Sequence, residues 1–223
     1  MIHPDMATLL AFVATDAPVA SPVLHEMLRD GVERSFHRIT VDGDTSTNDA
    51  CVLLATGRAQ IPPVAAGGEA WRALTAAVNE VLAELAQAVI RDGEGATRFI
   101  TVRVEGGARE QDCLAVARSI ALSPLVKTAC FAGDPNWGRI MAAVGRAPVA
   151  ELDASRIALF LDHVRVVHQG GLDPAYREEA GAAVMQQAEF TIRVDLGLGP
   201  AAAELWTCDL SYDYVRINAE YRS

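Results

Sequence analysis

Neither a CxxC nor an HxxxH or HxH spacing occurs in this chain of 223 residues, so the local signatures of a zinc site are missing. Cys51, Cys113, Cys130 and Cys208 lie far apart in apolar company and read as buried thiols, not as metal ligands or disulfide partners. His3, His25, His37, His163 and His168 are equally scattered. Any one could be a general base, but surface or capping roles suffice, and a zinc hydrolase or Ser-His-Asp enzyme has no local support. No basic surplus exists either: 19 Lys and Arg stand against 29 Asp and Glu, a formal net charge of −10. With nothing left over to neutralise phosphates, nucleic acid and anionic membrane are not expected partners, and small molecules or protein subunits remain. No uninterrupted apolar run reaches the length of a membrane-spanning helix. Met1-Ile2-His3-Pro4-Asp5 lacks the basic start and apolar centre of a secretory signal, so a cytoplasmic chain is expected. Internal repeats and low-complexity tracts are absent.

What is present is a core. With 51% hydrophobic residues, the chain can bury a substantial interior as one large domain or two small ones. Leu9 to Asp16 opens it with an apolar strand. Ser21-Pro22 starts a helix, the serine as N-cap and proline in the first turn, with Leu24, Met27, Leu28 and Val32 on one face. Thr45 to Asp49 ahead of Ala50 to Ala55 reads as a capped helix ended by Gly57. The longest helix is expected over Glu69 to Arg91, where Trp71, Leu74, Val78, Val81, Leu82, Leu85 and Val89 recur at helical spacing. A strand follows at Phe99 to Val104, then a helix from Glu110 to Leu122 that stops before Pro124.

The second half is richer in strands, at Arg156 to Leu161, Val164 to His168, Glu189 to Leu196 and Glu204 to Leu210. Phe190, Ile192, Val194 and Leu196 alternate with Thr191, Arg193 and Asp195, as in a half-buried strand. Asp173-Pro174 suggests a helix ending near Gln187, and Tyr212, Tyr214, Val215 and Ile217 a final docked strand. These patterns predict an α+β class of layered mixed sheets covered by helices.

Four segments carry more polar and glycine residues than a connection needs: residues 40–49, 93–98, 133–139 and 215–223. In the first, hydroxyl and Asx side chains could cap a helix or, with its free amides, hold an anion. Glu94, between two glycines at a strand entrance, can approach a ligand closely or be a solvated turn residue. Trp137 would pack its turn into the core while Arg139 pairs with a carboxylate; a substrate role for Arg139 is secondary. Thr8, at the head of the first strand, is an ordinary β-branched residue unless the Ala7-Thr8 bond is cut. The freed α-amine would then be a base for the threonine's own hydroxyl, making it a nucleophile.

Taken in order, Met-Ala-Thr-Leu-Leu at 6–10, Thr-Val-Asp-Gly-Asp-Thr-Ser-Thr-Asn-Asp at 40–49, Gly-Glu-Gly-Ala-Thr-Arg at 93–98, Asp-Pro-Asn-Trp-Gly-Arg at 134–139 and Tyr-Val-Arg-Ile-Asn-Ala-Glu-Tyr-Arg-Ser at 214–223 resemble the ornithine acetyltransferase family of arginine biosynthesis. The resemblance implies a self-processing architecture of the N-terminal-nucleophile kind. Residues 1–7 would be a remnant of the segment before the cut, and residues 8–223 the β-chain catalytic portion. Autoproteolysis between Ala7 and Thr8 would leave α and β chains together as a heterotetramer with two of each. Thr8 would be the catalytic nucleophile, taking acetyl from N-acetylornithine and passing it to glutamate through an ester. Thr8, Glu94, Asn218 and Ser223 would form the substrate-binding set.

No metal or cofactor is implied. Members that also use acetyl-CoA as donor are bifunctional, and the motifs do not separate them from the others. Two departures stand out. The family's oxyanion pair, a threonine and a glycine, and a substrate-binding lysine belong to the α part, so this chain alone is expected to be nearly inert. Ser223 stands where threonine is commoner, which keeps the hydroxyl. Alternatives are a related self-processing amidohydrolase, with water replacing glutamate, and a noncatalytic unprocessed fragment that only assembles.

Overall fold

The structure, a computed structural model, describes residues 9–45 and 48–220. The chain divides into two compact units, Met1–Val89 and Ile90–Ser223.

In the first unit, β1 (Leu10–Thr15) pairs in parallel with β3 (Ala50–Ala55), in register from Leu10 opposite Ala50 to Thr15 opposite Ala55. The expected capped helix over 50–55 is therefore a strand. An apolar run of six cannot be told from a buried helical segment by periodicity, and here the pairing partner decides. Between them lie α1 (Ser21–Arg34) and the short β2 (Ile39–Thr40). Ser21 does not cap α1: the cap position is the extended Ala20, without a side-chain bond, and Pro22 sits in the first turn.

Gly31 of α1 is buried where a Cβ would lie 2.5 Å from Leu82 Cδ1 and 3.0 Å from Asn79 Oδ1, both on α2 (Glu69–Arg91). Its missing side chain lets the two helices close. Asn79 Nδ2 donates to Asp30 Oδ2 at 2.9 Å, and this bond, with Arg34 beside it, outweighs burial and lowers the Asp30 carboxyl below its ordinary range.

The bounds of α2 match the expectation, but its buried stripe is Val78, Leu82, Ala86 and Ile90, while Val81 and Leu85 stay exposed. Among the described residues α2 is the one single helix long and apolar enough to cross a membrane by length and composition. Glu80 and Glu84 fall inside its apolar stretch.

The second unit is built on a mixed sheet. Six of its strands are β4 (Phe99–Gly107), β5 (Ala158–Leu161), β6 (Val164–His168), β7 (Gly171–Leu172), β8 (Glu189–Asp195) and β9 (Ala201–Cys208). They lie in the order β9-β4-β8-β5-β6-β7, parallel only between β4 and β8. On one face Ile100, Val102, Val104, Phe190, Ile192, Val194 and Leu205 meet Cys113, Val116, Ala117 and Ile120 of α3 (Glu110–Ala121). The alternation predicted for β8 is realised residue by residue.

The other face is polar. Arg193 Nη1 donates to Glu105 Oε1 at 2.6 Å, Arg103 Nε to Glu105 Oε2 at 3.2 Å, and the Arg193 guanidinium lies 3.7 Å over the Phe160 ring. Burial alone would raise the Glu105 carboxyl, but the hydrogen bonds and charges of both arginines prevail and hold it below the usual range.

Three expectations change here. Pro124 does not merely follow a helix end; it opens α4 (Pro124–Ala132), with Ser123 as N-cap, and α5 (Trp137–Gly145) follows. Asp173 and Pro174 form a turn, Asp173 accepting from the amides of Ala175 and Tyr176, so α6 starts later and spans Glu178–Met185. The last described element is a helix, α7 (Tyr212–Glu220), not a docked strand. Val215 and Ile217 are exposed rather than paired.

The four cysteines form no disulfide; Cys113, Cys130 and Cys208 are buried and Cys51 half-buried. Burial pushes the Cys130 thiol up to about 12 and raises those of Cys51 and Cys113.

Glu105 generates a pH prediction. Its folded pKa is below its unfolded value, so the unfolded state binds more protons as acid is added. Its contribution is present above the unfolded pKa of about 4.3 and lost as pH falls through the folded one. Urea midpoints measured at about pH 6 and about pH 3.5 should therefore differ less in Glu105→Gln than in the unaltered protein. An equal difference would show that Glu105 contributes nothing.

Candidate active site

The segment 93–98 is held from two sides. Asp209, just past β9, accepts from Thr97 N at 2.8 Å, Thr97 Oγ1 at 2.5 Å and Arg98 N at 2.9 Å. Arg98 reaches the other way, donating through Nε to the Cys130 carbonyl at 2.7 Å and through Nη2 to that of Phe131 at 3.3 Å, near the C-terminus of α4. A guanidinium there satisfies carbonyls that the helix leaves unpaired.

Upstream, Gly95 has φ +67°, a left-handed conformation, and a Cβ on it would lie 2.5 Å from Tyr214 N. Ser211 Oγ donates to the Gly95 carbonyl at 2.6 Å and accepts from Tyr214 N at 3.2 Å. One hydroxyl thus caps α7 and pins the glutamate turn to that helix's head.

The result is a juxtaposition across 124 positions of sequence: Asn218 Nδ2, one helical turn past Tyr214 on α7, donates to Glu94 Oε2 at 3.2 Å. The same amide nitrogen donates to the Tyr214 carbonyl at 2.9 Å, which fixes its direction. Glu94 and Asn218 are both exposed. A carboxylate offers roughly four lone-pair sites, so Glu94 can accept from a ligand ammonium while keeping Asn218. Both N–H groups of the Asn218 amide are thus used, and its oxygen can accept from a ligand donor.

Of the other expected site residues, Ala7, Thr8 and Ser223 lie outside the described residues, as do Ser46 and Thr47 of the first polar segment. Asp49 caps no helix: its Oδ1 accepts from Leu9 N at 2.7 Å, across the start of the β1–β3 pair. In the segment 133–139, Asn136 caps α5 through Arg139 N, and Trp137 packs against the core as expected. Arg139 meets no carboxylate in its described bonds; its Nη1 donates to the Leu125 carbonyl and Thr128 Oγ1 at 3.0 and 3.4 Å. A hollow of about 530 Å³ beside this turn, lined in part by Asp134, Trp137, Tyr176 and Arg177, does not include Glu94 or Asn218.

Sequence reasoning missed Asp209 and Ser211. Ser211, with Asp213 in the first turn after it, is a legible helix N-terminus. Asp209 has no such local signal, since its three donors come from residues more than a hundred positions away.

The chain matches the model of the ArgJ family over residues 1–223. It is 55% identical over 224 residues to the "Arginine biosynthesis bifunctional protein ArgJ" of Pseudomonas syringae pv. tomato, covering 100% of this chain and 55% of that protein. It is 58% identical over 223 residues to the protein of the same name from Methylococcus capsulatus, with the same coverage. The chain thus spans about half the length of these relatives. The crystal structure of the Bacillus halodurans arginine biosynthesis bifunctional protein ArgJ superposes with a TM-score of 0.91 at 39% identity, over 96% of this chain and 100% of that one. The α+β fold is shared.

The Gly95 turn gives a stability test. Gly95→Ala should lower the unfolding free energy by about 1–2 kcal/mol from left-handed backbone strain alone, and further through overlap with Tyr214 N. Asn218→Ala, on an exposed helix face, should change it by less than about 0.5 kcal/mol. Urea unfolding of both variants checks the contrast.

Proposed function

Because the chain belongs to the ArgJ family, we propose that it is the β-chain, C-terminal part of an ornithine acetyltransferase of arginine biosynthesis, acting with an α part of the same precursor. In this reading the Ala7-Thr8 bond is cut, and Thr8 becomes both nucleophile and chain terminus. Its α-amine, with an ordinary pKa of about 7.7 to 8.0, takes the hydroxyl proton as Thr8 Oγ attacks the acetyl carbonyl of N-acetylornithine. The amide C–N bond breaks, the same proton goes to the departing ornithine nitrogen, and acetyl stays on Thr8 as an ester. Glutamate's amine then attacks that ester and the proton path runs in reverse, a ping-pong cycle.

The observation that carries this reading is the Glu94–Asn218 pair. Both exchanging substrates are amino acids, each with an ammonium and a carboxylate. Glu94 would accept from the ligand's ammonium beside the Asn218 amide oxygen, and Ser223 would add a hydroxyl.

The partner reading has its own support. The outward positions of the parallel β1–β3 pair are apolar, with Leu10 70%, Phe12 67% and Leu54 52% exposed. Parallel sheets are normally covered on both faces, and a two-stranded sheet is marginal alone. The missing half of the precursor would supply that cover, the oxyanion donors and a substrate-binding lysine, in an assembly of two α and two β chains. In this reading no metal or cofactor takes part, and acetyl-CoA would be a co-substrate.

The test uses the complete αβ protein with N-acetylornithine. Peptide mass mapping should find acetyl on Thr8, and Thr8→Ala should abolish transfer. Glu94→Gln should lower kcat/KM about 10- to 100-fold, the loss of a charge-assisted hydrogen bond. Acetyl on another residue would overturn the nucleophile assignment. Sustained ornithine release without glutamate would make the protein an amidohydrolase, and an intact Ala7-Thr8 bond in active protein would reject the processing step.

A further inference from the structure

The Asp49 carboxylate is half used. Ala50 N donates to the Leu9 carbonyl at 2.9 Å, beginning the parallel ladder, and Leu9 N donates to Asp49 Oδ1 at 2.7 Å. Leu9 N is the nitrogen of the Thr8-Leu9 peptide bond, so Asp49 grips the first peptide group after residue 8. The second oxygen, Oδ2, is shut off from solvent and has no hydrogen-bond partner among the described residues. A shielded carboxylate oxygen left without a donor is unfavourable and calls for a specific reason.

Chemistry supplies one. While residues 7 and 8 are joined, the nitrogen of Thr8 is an amide whose single N–H is fixed in its peptide plane. Cutting that bond turns the same nitrogen into an amine, which rotates about its bond to Cα and offers two or three N–H groups. Successive backbone nitrogens lie about 3 to 3.5 Å apart, close to the spacing of two sites that one carboxylate can serve together. Asp49 thus has one oxygen matched to Leu9 and a second suited to a donor that exists only after the cut.

We propose that Asp49 is a positioning residue of the transfer reaction: Oδ1 fixes the Thr8-Leu9 peptide, and Oδ2 receives the α-amine released at Thr8, turning its lone pair toward the Thr8 hydroxyl. This rests on the reading of Thr8 as nucleophile. A base held in place removes rotational freedom from the proton-transfer step, and its loss acts on turnover rather than on substrate affinity.

The test is Asp49→Asn in the complete αβ protein, assayed on material with a free Thr8 terminus. Asparagine keeps an acceptor for Leu9 N but puts an NH2 donor where Oδ2 stood. The expected result is a kcat lower by about 10- to 100-fold with KM for N-acetylornithine within about twofold. If the asparagine variant yields no folded protein, Asp49→Ser is assayed instead, since it keeps one oxygen acceptor and removes the second. A purely structural role predicts an unchanged kcat in whichever variant folds, and that result overturns the proposal. Mass mapping of the unaltered protein separates the two claims. Acetyl on Thr8 with normal turnover in the variant rejects Asp49 alone, whereas no acetyl on Thr8 rejects the nucleophile reading and this proposal with it.

Discussion

Much of the second unit hangs on the carboxylate of Asp209. The antiparallel ladder of β4 and β9 ends where Phe99 faces Cys208, and Asp209 continues the join through its side chain, taking the Thr97 and Arg98 amides and the Thr97 hydroxyl. A charged acceptor meeting several donors in partly buried surroundings is among the stronger polar contacts a fold can make. It fixes the path of the chain into β4 and out of β9 together. Glu94 lies just before the first and α7 just after the second, so the candidate site inherits its geometry from that one group.

A second constraint is the asymmetry of the sheet. Its covered face is aliphatic and packs against α3, while the opposite face carries Arg103, Glu105, Arg193 and Phe160. Burying the apolar residues sets the register of β8, since a slip by one residue would send Arg193 into the core. The ionic cluster then aligns charges already placed. Lys127 shows how far the interior tolerates polarity: it is buried, and its ammonium donates to Thr207 Oγ1 and the Cys208 carbonyl.

Long periodic elements were legible in the sequence. The bounds of α2 and β6 and the alternation of β8 follow from spacing, because burial on one face writes itself into the order of residues. Misreadings fell where local patterns are ambiguous. Residues 50–55 are too few for periodicity to decide, and only β1 beside them makes them a strand. Residues 212–217 mix aromatic and branched side chains that favour strands, yet Ser211 caps a helix there. Glu94 and Asn218 were recognisable one at a time from motif order. Their contact was not, because it depends on Asp209 and Ser211, whose partners are distant in sequence.

The cysteines close the account from another side. With its thiol pushed up to about 12, Cys130 has almost no thiolate at neutral pH, and Cys51 and Cys113 are shifted the same way. Sulfur is the strongest acyl acceptor among protein side chains, but only as the anion. In the proposed cycle, a thiolate within reach would compete with the threonine hydroxyl for the incoming acetyl group. With Cys113 and Cys130 buried, Cys51 half-buried and all three thiols raised, these sulfurs stay protonated at neutral pH and would be poor competitors in that cycle.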